Sequence, residues 1–139
     1  MKLHRLRANR AFTLIELMVV ILILAILAAL IVPRIMHRVA DAKRAKAKTD
    51  IETLSNLLQH YYVDTDQFPT SLQDLRVCPN GVNNWHGPYT TKNIPPDPWG
   101  HEYIYQCPGP NGTDYLITSY GPTGAPGGTG DDAAITSED

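Results

Sequence analysis

Apolar and polar positions divide this chain into three regimes. From Phe12 to Val32 only Thr13 and Glu16 are polar. At ~1.5 Å of rise per residue, a helix of that length crosses the ~30 Å hydrocarbon core of a bilayer. From Arg34 to Val63 the apolar residues recur at spacings close to three and four: Ile35, Val39, Ala42, Ala47, Ile51, Leu54, Leu58 and Tyr61. Arg38, Lys43, Arg44, Lys46 and Lys48 fall on the opposite, exposed face. No proline follows Pro33 in this stretch. The first two regimes therefore read as one helix of about 50 residues, half apolar throughout and half an amphipathic stem. Pro33 removes a hydrogen-bond donor and crowds the preceding turn, so a kink or local melting is expected there.

The third regime has short periods and many breakers. Asp64-Thr65-Asp66-Gln67-Phe68-Pro69 ends the helix, with Asp64 and Asp66 read as turn and cap residues. Thr70 to Leu75 has N-cap chemistry and reads as one or two helical turns. Residues 76–100, rich in Pro, Gly and Asn, read as a long ordered loop with a short strand near Tyr89 and with Trp99 as an anchor on the core. Tyr103 to Gln106 and Tyr115 to Thr118 alternate around a loop holding Asn111-Gly112, the pattern of a hairpin. The expected fold class is α+β: a long N-terminal helix packed on a small antiparallel sheet, followed by a long C-terminal loop. That loop, 121–139, is too glycine-rich and polar to be ordered by apolar burial; either it is disordered or something ties it down.

Charge adds a second layer. Residues 1–49 carry ten Lys/Arg against Glu16 and Asp41, a net +8; residues 50–139 carry Arg76 and Lys92 against twelve acids, a net −10. A solvated basic face beside an acidic domain accounts for this. So does association between copies, basic stem against acidic head, and both readings stay open. Nucleic acid is not indicated, because the basic residues flank an apolar segment and lack interleaved aromatics. The leader 1–11, with Lys2, Arg5, Arg7 and Arg10 and no acid, predicts a cytoplasmic N-terminus and an exported C-terminus. The apolar run is longer than the 7–15 residues of a secretory signal core. A plain uncleaved anchor leaves Glu16 unexplained, because a charge at the bilayer centre costs ~2.5–3.5 kcal/mol. Glu16 must lie shallow, be protonated or find a cationic partner.

Cys78 and Cys107 both follow the membrane segment, and export makes a disulfide the default, closing a loop of about 30 residues and stabilising by ~3 kcal/mol. A zinc site from Cys78, His86, His101 and Cys107 matches no common ligand spacing. There is no GxSxG, HExxH or paired CxxC, and the histidines are scattered, so no enzyme activity is expected.

Ala11-Phe12-Thr13-Leu14-Ile15-Glu16, behind a basic leader and ahead of a long apolar helix, resembles the type IV prepilin signal. The resemblance implies cleavage by a prepilin peptidase between Ala11 and Phe12 and N-methylation of Phe12. It also implies retention of the helix, with Glu16 pairing with the Phe12 amine of a neighbouring subunit and Pro33 at a position where such chains commonly carry proline. Where the family has Gly before the cut, this chain has Ala11. Further along come Tyr61, Asp64, Phe68-Pro69-Thr70, Gly87-Pro88-Tyr89, Pro96-Asp97-Pro98-Trp99-Gly100 and Asp114 to Gly121. These resemble the major pseudopilins, the G-type subunits of type II secretion systems, over almost the whole chain.

The domain plan that follows is a cleaved leader 1–11, a membrane and assembly helix 12–32, a periplasmic stem 33–63 and a periplasmic domain 64–139. The implied function is the major structural subunit of a periplasmic pseudopilus in the inner membrane, polymerising to export folded proteins. Its implied partners are other copies of itself, minor pseudopilins, the inner-membrane secretion platform and the prepilin peptidase. The alternatives are a type IV pilin of a surface or DNA-uptake pilus, and a membrane-anchored metal-binding domain. The resemblance also implies calcium in the C-terminal loop, on Leu116, Ser119, Thr123, Asp131 and Asp132. Thr123 and Ala134 stand where the family has Asp, so the loop is held either by a thinned calcium site or by a Cys78–Cys107 bridge.

Overall fold

The computed structural model describes residues 12–139, the side chain of Pro33 excepted. The leader 1–11, with the expected cleavage residue Ala11, lies outside the described residues. One helix, α1 (Leu14–Thr65, 52 residues), carries the first half of the chain, and its assignment passes through position 33 without a break. The local melting expected at Pro33 is absent. The chain divides into two compact units, one ending at Arg38 and the other Val39–Asp139.

In the first unit every side chain from Phe12 to Val32 is exposed. α1 is the one helix among the described residues long and apolar enough to cross a membrane.

The second unit is built on one stripe of α1. Ala47, Ile51, Leu54, Leu58 and Tyr61 are spaced four, three, four and three apart, which keeps them on a single face, and all are buried. Against them pack Leu72, Leu75, Tyr103, Ile117 and Ile135. The stripe is shorter than the sequence pattern implied, since Ile35, Val39 and Ala42 are exposed and none of them belongs to the buried core.

The sheet has three short antiparallel strands in the order β1 (Ile104–Gln106), β2 (Leu116–Ser119), β3 (Ile135–Thr136). Tyr105 faces Ile117 across the expected hairpin, and Ser119 faces Ile135. Between helix and sheet, Leu72–Leu75 forms a 3-10 turn closed by a capping box. The Ser71 hydroxyl accepts from Gln73 N, and the Asp74 carboxylate accepts from Ser71 N and Thr70 N.

No strand forms near Tyr89. Its amide and that of Thr90 both point at the Leu75 carbonyl (2.8 and 3.4 Å), which pins this segment to the 3-10 turn instead of to a strand ladder. The Tyr89 ring lies against Tyr61 and Trp85, and its hydroxyl donates to Asp64 Oδ2 (2.6 Å). Asp66 is a turn residue with φ +57°. Trp99 is half-buried against the core, as an anchor would be.

Candidate functional site

Two places carry the chemistry singled out in the sequence: the start of α1 and the C-terminal loop. At the helix start Thr13 and Glu16 hold one another. Glu16 Oε2 accepts from the Thr13 amide and the Thr13 hydroxyl, both at 3.1 Å. The Thr13 hydroxyl in turn accepts from Glu16 N (3.2 Å). This is a capping box spelled Thr-x-x-Glu, which satisfies helix-end donors left without partners and places a carboxylate at the positive end of the helix dipole. The signal was present in the sequence, where Glu16 was read as a costly charge and as an assembly contact but not as a cap. Phe12, just outside the helix, is 84 % exposed.

The C-terminal loop is entered past a carboxylate, Asp97, that the sequence reading named only as part of the Pro96–Gly100 block. Asp97, 4 % exposed, accepts from the amides of Trp99 (3.0 Å) and His101 (2.9 Å) through Oδ1, and from the Ser119 hydroxyl through Oδ2 (2.6 Å). Its own amide donates to the His101 carbonyl (2.7 Å). Ser119 Oγ then accepts from Gly121 N (3.2 Å), and His101 Nδ1 lies 3.1 Å from the Gly121 carbonyl. The PDPWG turn is thus joined to the exit of β2. Gly124, at φ +64°, passes so close to the His101 ring that a Cβ there would sit 2.7 Å from Nε2.

The predicted calcium ligands are not assembled for that purpose. Leu116 opens β2 opposite Gln106. Ser119 is committed to Asp97, and the Thr123 hydroxyl donates to the carbonyls of Tyr120 and Ala125 (3.2 and 3.1 Å). Asp131 and Asp132 are exposed. Among the described residues no group of three His, Cys, Asp or Glu is placed to hold a metal ion. A calcium ion asks for 6–8 oxygen ligands, and this donor set does not fit one.

The sequence-predicted disulfide is likewise absent: Cys78 and Cys107 are free thiols. Cys78 is exposed beyond the 3-10 turn, with its Sγ 3.6 Å from the Pro79 carbonyl, while Cys107 is half-buried at the end of β1.

Residues 34–138 match the family described as type II secretion system protein G, and residues 6–32 match the prokaryotic N-terminal methylation motif. The chain belongs to the protein G family. It is similar to the type II secretion system core protein G of Pseudomonas aeruginosa, at 41% identity over 93% of this chain and 94% of that one. The core protein G of Vibrio cholerae is 39% identical over 96% and 94%. Among solved structures, the major pseudopilin from the type 2 secretion system of enterohaemorrhagic Escherichia coli superposes with a TM-score of 0.61 at 28% identity. That match covers 73% of this chain and 91% of that one. Protein G chains are major pseudopilins, so the matches speak for the pseudopilin reading over a surface pilin.

Proposed function

We propose that this protein G chain is the major structural subunit of a pseudopilus, anchored in the inner membrane by residues 12–32 with its second unit in the periplasm. The observation that carries the reading is the wholly exposed apolar segment joined to a well-packed domain. Such a surface is stable only in lipid or against other apolar helices, and a filament of identical copies supplies both in turn. The basic leader favours a cytoplasmic N-terminus and an exported domain. Prepilin peptidase removes residues 1–11 and methylates Phe12; minor pseudopilins and the inner-membrane platform initiate and drive polymerisation. The role is structural rather than catalytic.

Glu16→Gln tests it. The variant is expected to insert in the membrane at the wild-type level and to lose filament assembly, read by cross-linking of neighbouring copies. Wild-type assembly by Glu16→Gln would sink the assembly role. The intact mass of the membrane-extracted chain checks processing independently: it should lack residues 1–11 and carry one added methyl group. A mass that includes the leader would overturn that part.

A further inference from the structure

The sequence left open what holds the glycine-rich loop, and neither of its two answers is built in the structure. The loop is nonetheless tightly folded. Gly128 lies so close to the Asp132 carbonyl that no side chain fits between them, and the turns Gly121–Thr123 and Gly130–Asp132 pack on each other.

Two side chains of α1 reach the loop: Lys48 meets the Asp139 carbonyl at its end, and Arg44 meets its turns. Arg44 Nη1 donates to two main-chain carbonyls, Asp131 O at 3.1 Å and Ala133 O at 2.8 Å. Two carbonyl oxygens from alternate residues, turned to one point, form the kind of oxygen cluster that takes a cation. Here the cation is a guanidinium. It stays charged at all accessible pH values, is less strongly hydrated than an ammonium, and presents fixed donors. Arg44 is half-buried, and its bond to the Ala133 carbonyl is partly shielded from solvent. The loop's entry is fixed separately by Asp97, Ser119 and His101, and its far end by the pairing of β3 with β2, so Arg44 holds the turn between them.

We propose that Arg44 is the cation of the C-terminal loop, taking the place a divalent ion would hold, so that the loop is ordered without calcium.

The test uses the full chain in detergent micelles, with amide hydrogen exchange and thermal melting as readouts. In wild type, exchange across 121–134 and the melting midpoint should be the same in EDTA and in millimolar calcium chloride. Arg44→Gln should speed exchange in 121–134 by about tenfold, leave β1 and β2 as protected as before, and lower the midpoint by about 5 °C. Arg44→Lys, which keeps the charge on a single point donor, should fall between them. Calcium that slows loop exchange or raises the midpoint of wild type overturns the proposal, and this arm depends on no variant. Loop exchange in Arg44→Gln equal to wild type overturns it as well.

Discussion

Asp97 shows how much of the domain can hang on one residue. Its carboxylate is the one buried acid among the described residues and receives three hydrogen bonds. Truncation leaves two amides and a buried hydroxyl without their acceptor, so Asp97→Ala should cost about 3 kcal/mol, read by urea unfolding of the chain in micelles. Ser119→Ala removes one of the three bonds and should cost about 1–2 kcal/mol. Two tyrosines, Tyr103 buried and Tyr105 half-buried, set the alkaline limit. Burial first, then the neighbouring Asp50 carboxylate that its hydroxyl meets at 3.1 Å, push the Tyr103 pKa up. Burial first, then Cys107, does the same for Tyr105. A hydroxyl whose folded pKa lies above its unfolded value of ~10 keeps its proton in the fold, so stability is intact below pH ~10 and falls above it. Melting scans should show the midpoint dropping between pH ~10 and ~11, and less steeply in Tyr103→Phe.

At the scale of elements, the helix stripe divides into a packed half and an unpacked half. Leu58 is fully buried, and Leu58→Ala should cost about 2–5 kcal/mol in the isolated subunit. Ile35 is 53 % exposed, and Ile35→Ala should change the same measurement by less than about 0.5 kcal/mol. Both positions fit one periodic pattern, so periodicity located the helix but not the point where the domain stops covering it. The hairpin and the capped 3-10 turn were legible because their signals are local: alternation around Asn111-Gly112, and Ser71 three residues before Asp74. The strand at Tyr89 was misread because its aromatic and threonine content suits a ladder, whereas its amides go to a single carbonyl of a distant turn. Arg44 was illegible for a similar reason. It sits among Lys43, Lys46 and Lys48 with nothing local to set it apart, and its partners lie 87 and 89 residues away.

For the whole molecule, the charge imbalance between stem and domain is partly resolved within one copy. Arg44 reaches Asp131 and Ala133, and Lys48 reaches the Asp139 carbonyl at 3.1 Å. These are bonds to backbone oxygens, so the carboxylates of Asp131 and Asp132 stay exposed to solvent or to another copy. Arg44 also changes how the loop depends on its surroundings. A dissociable ion stabilises a fold by mass action, in proportion to the logarithm of its concentration over its dissociation constant. A guanidinium carried by the chain has no such term: one is delivered with every copy synthesised, and dilution cannot remove it. A filament made of such subunits would keep the same surface in ion-poor and ion-rich media alike.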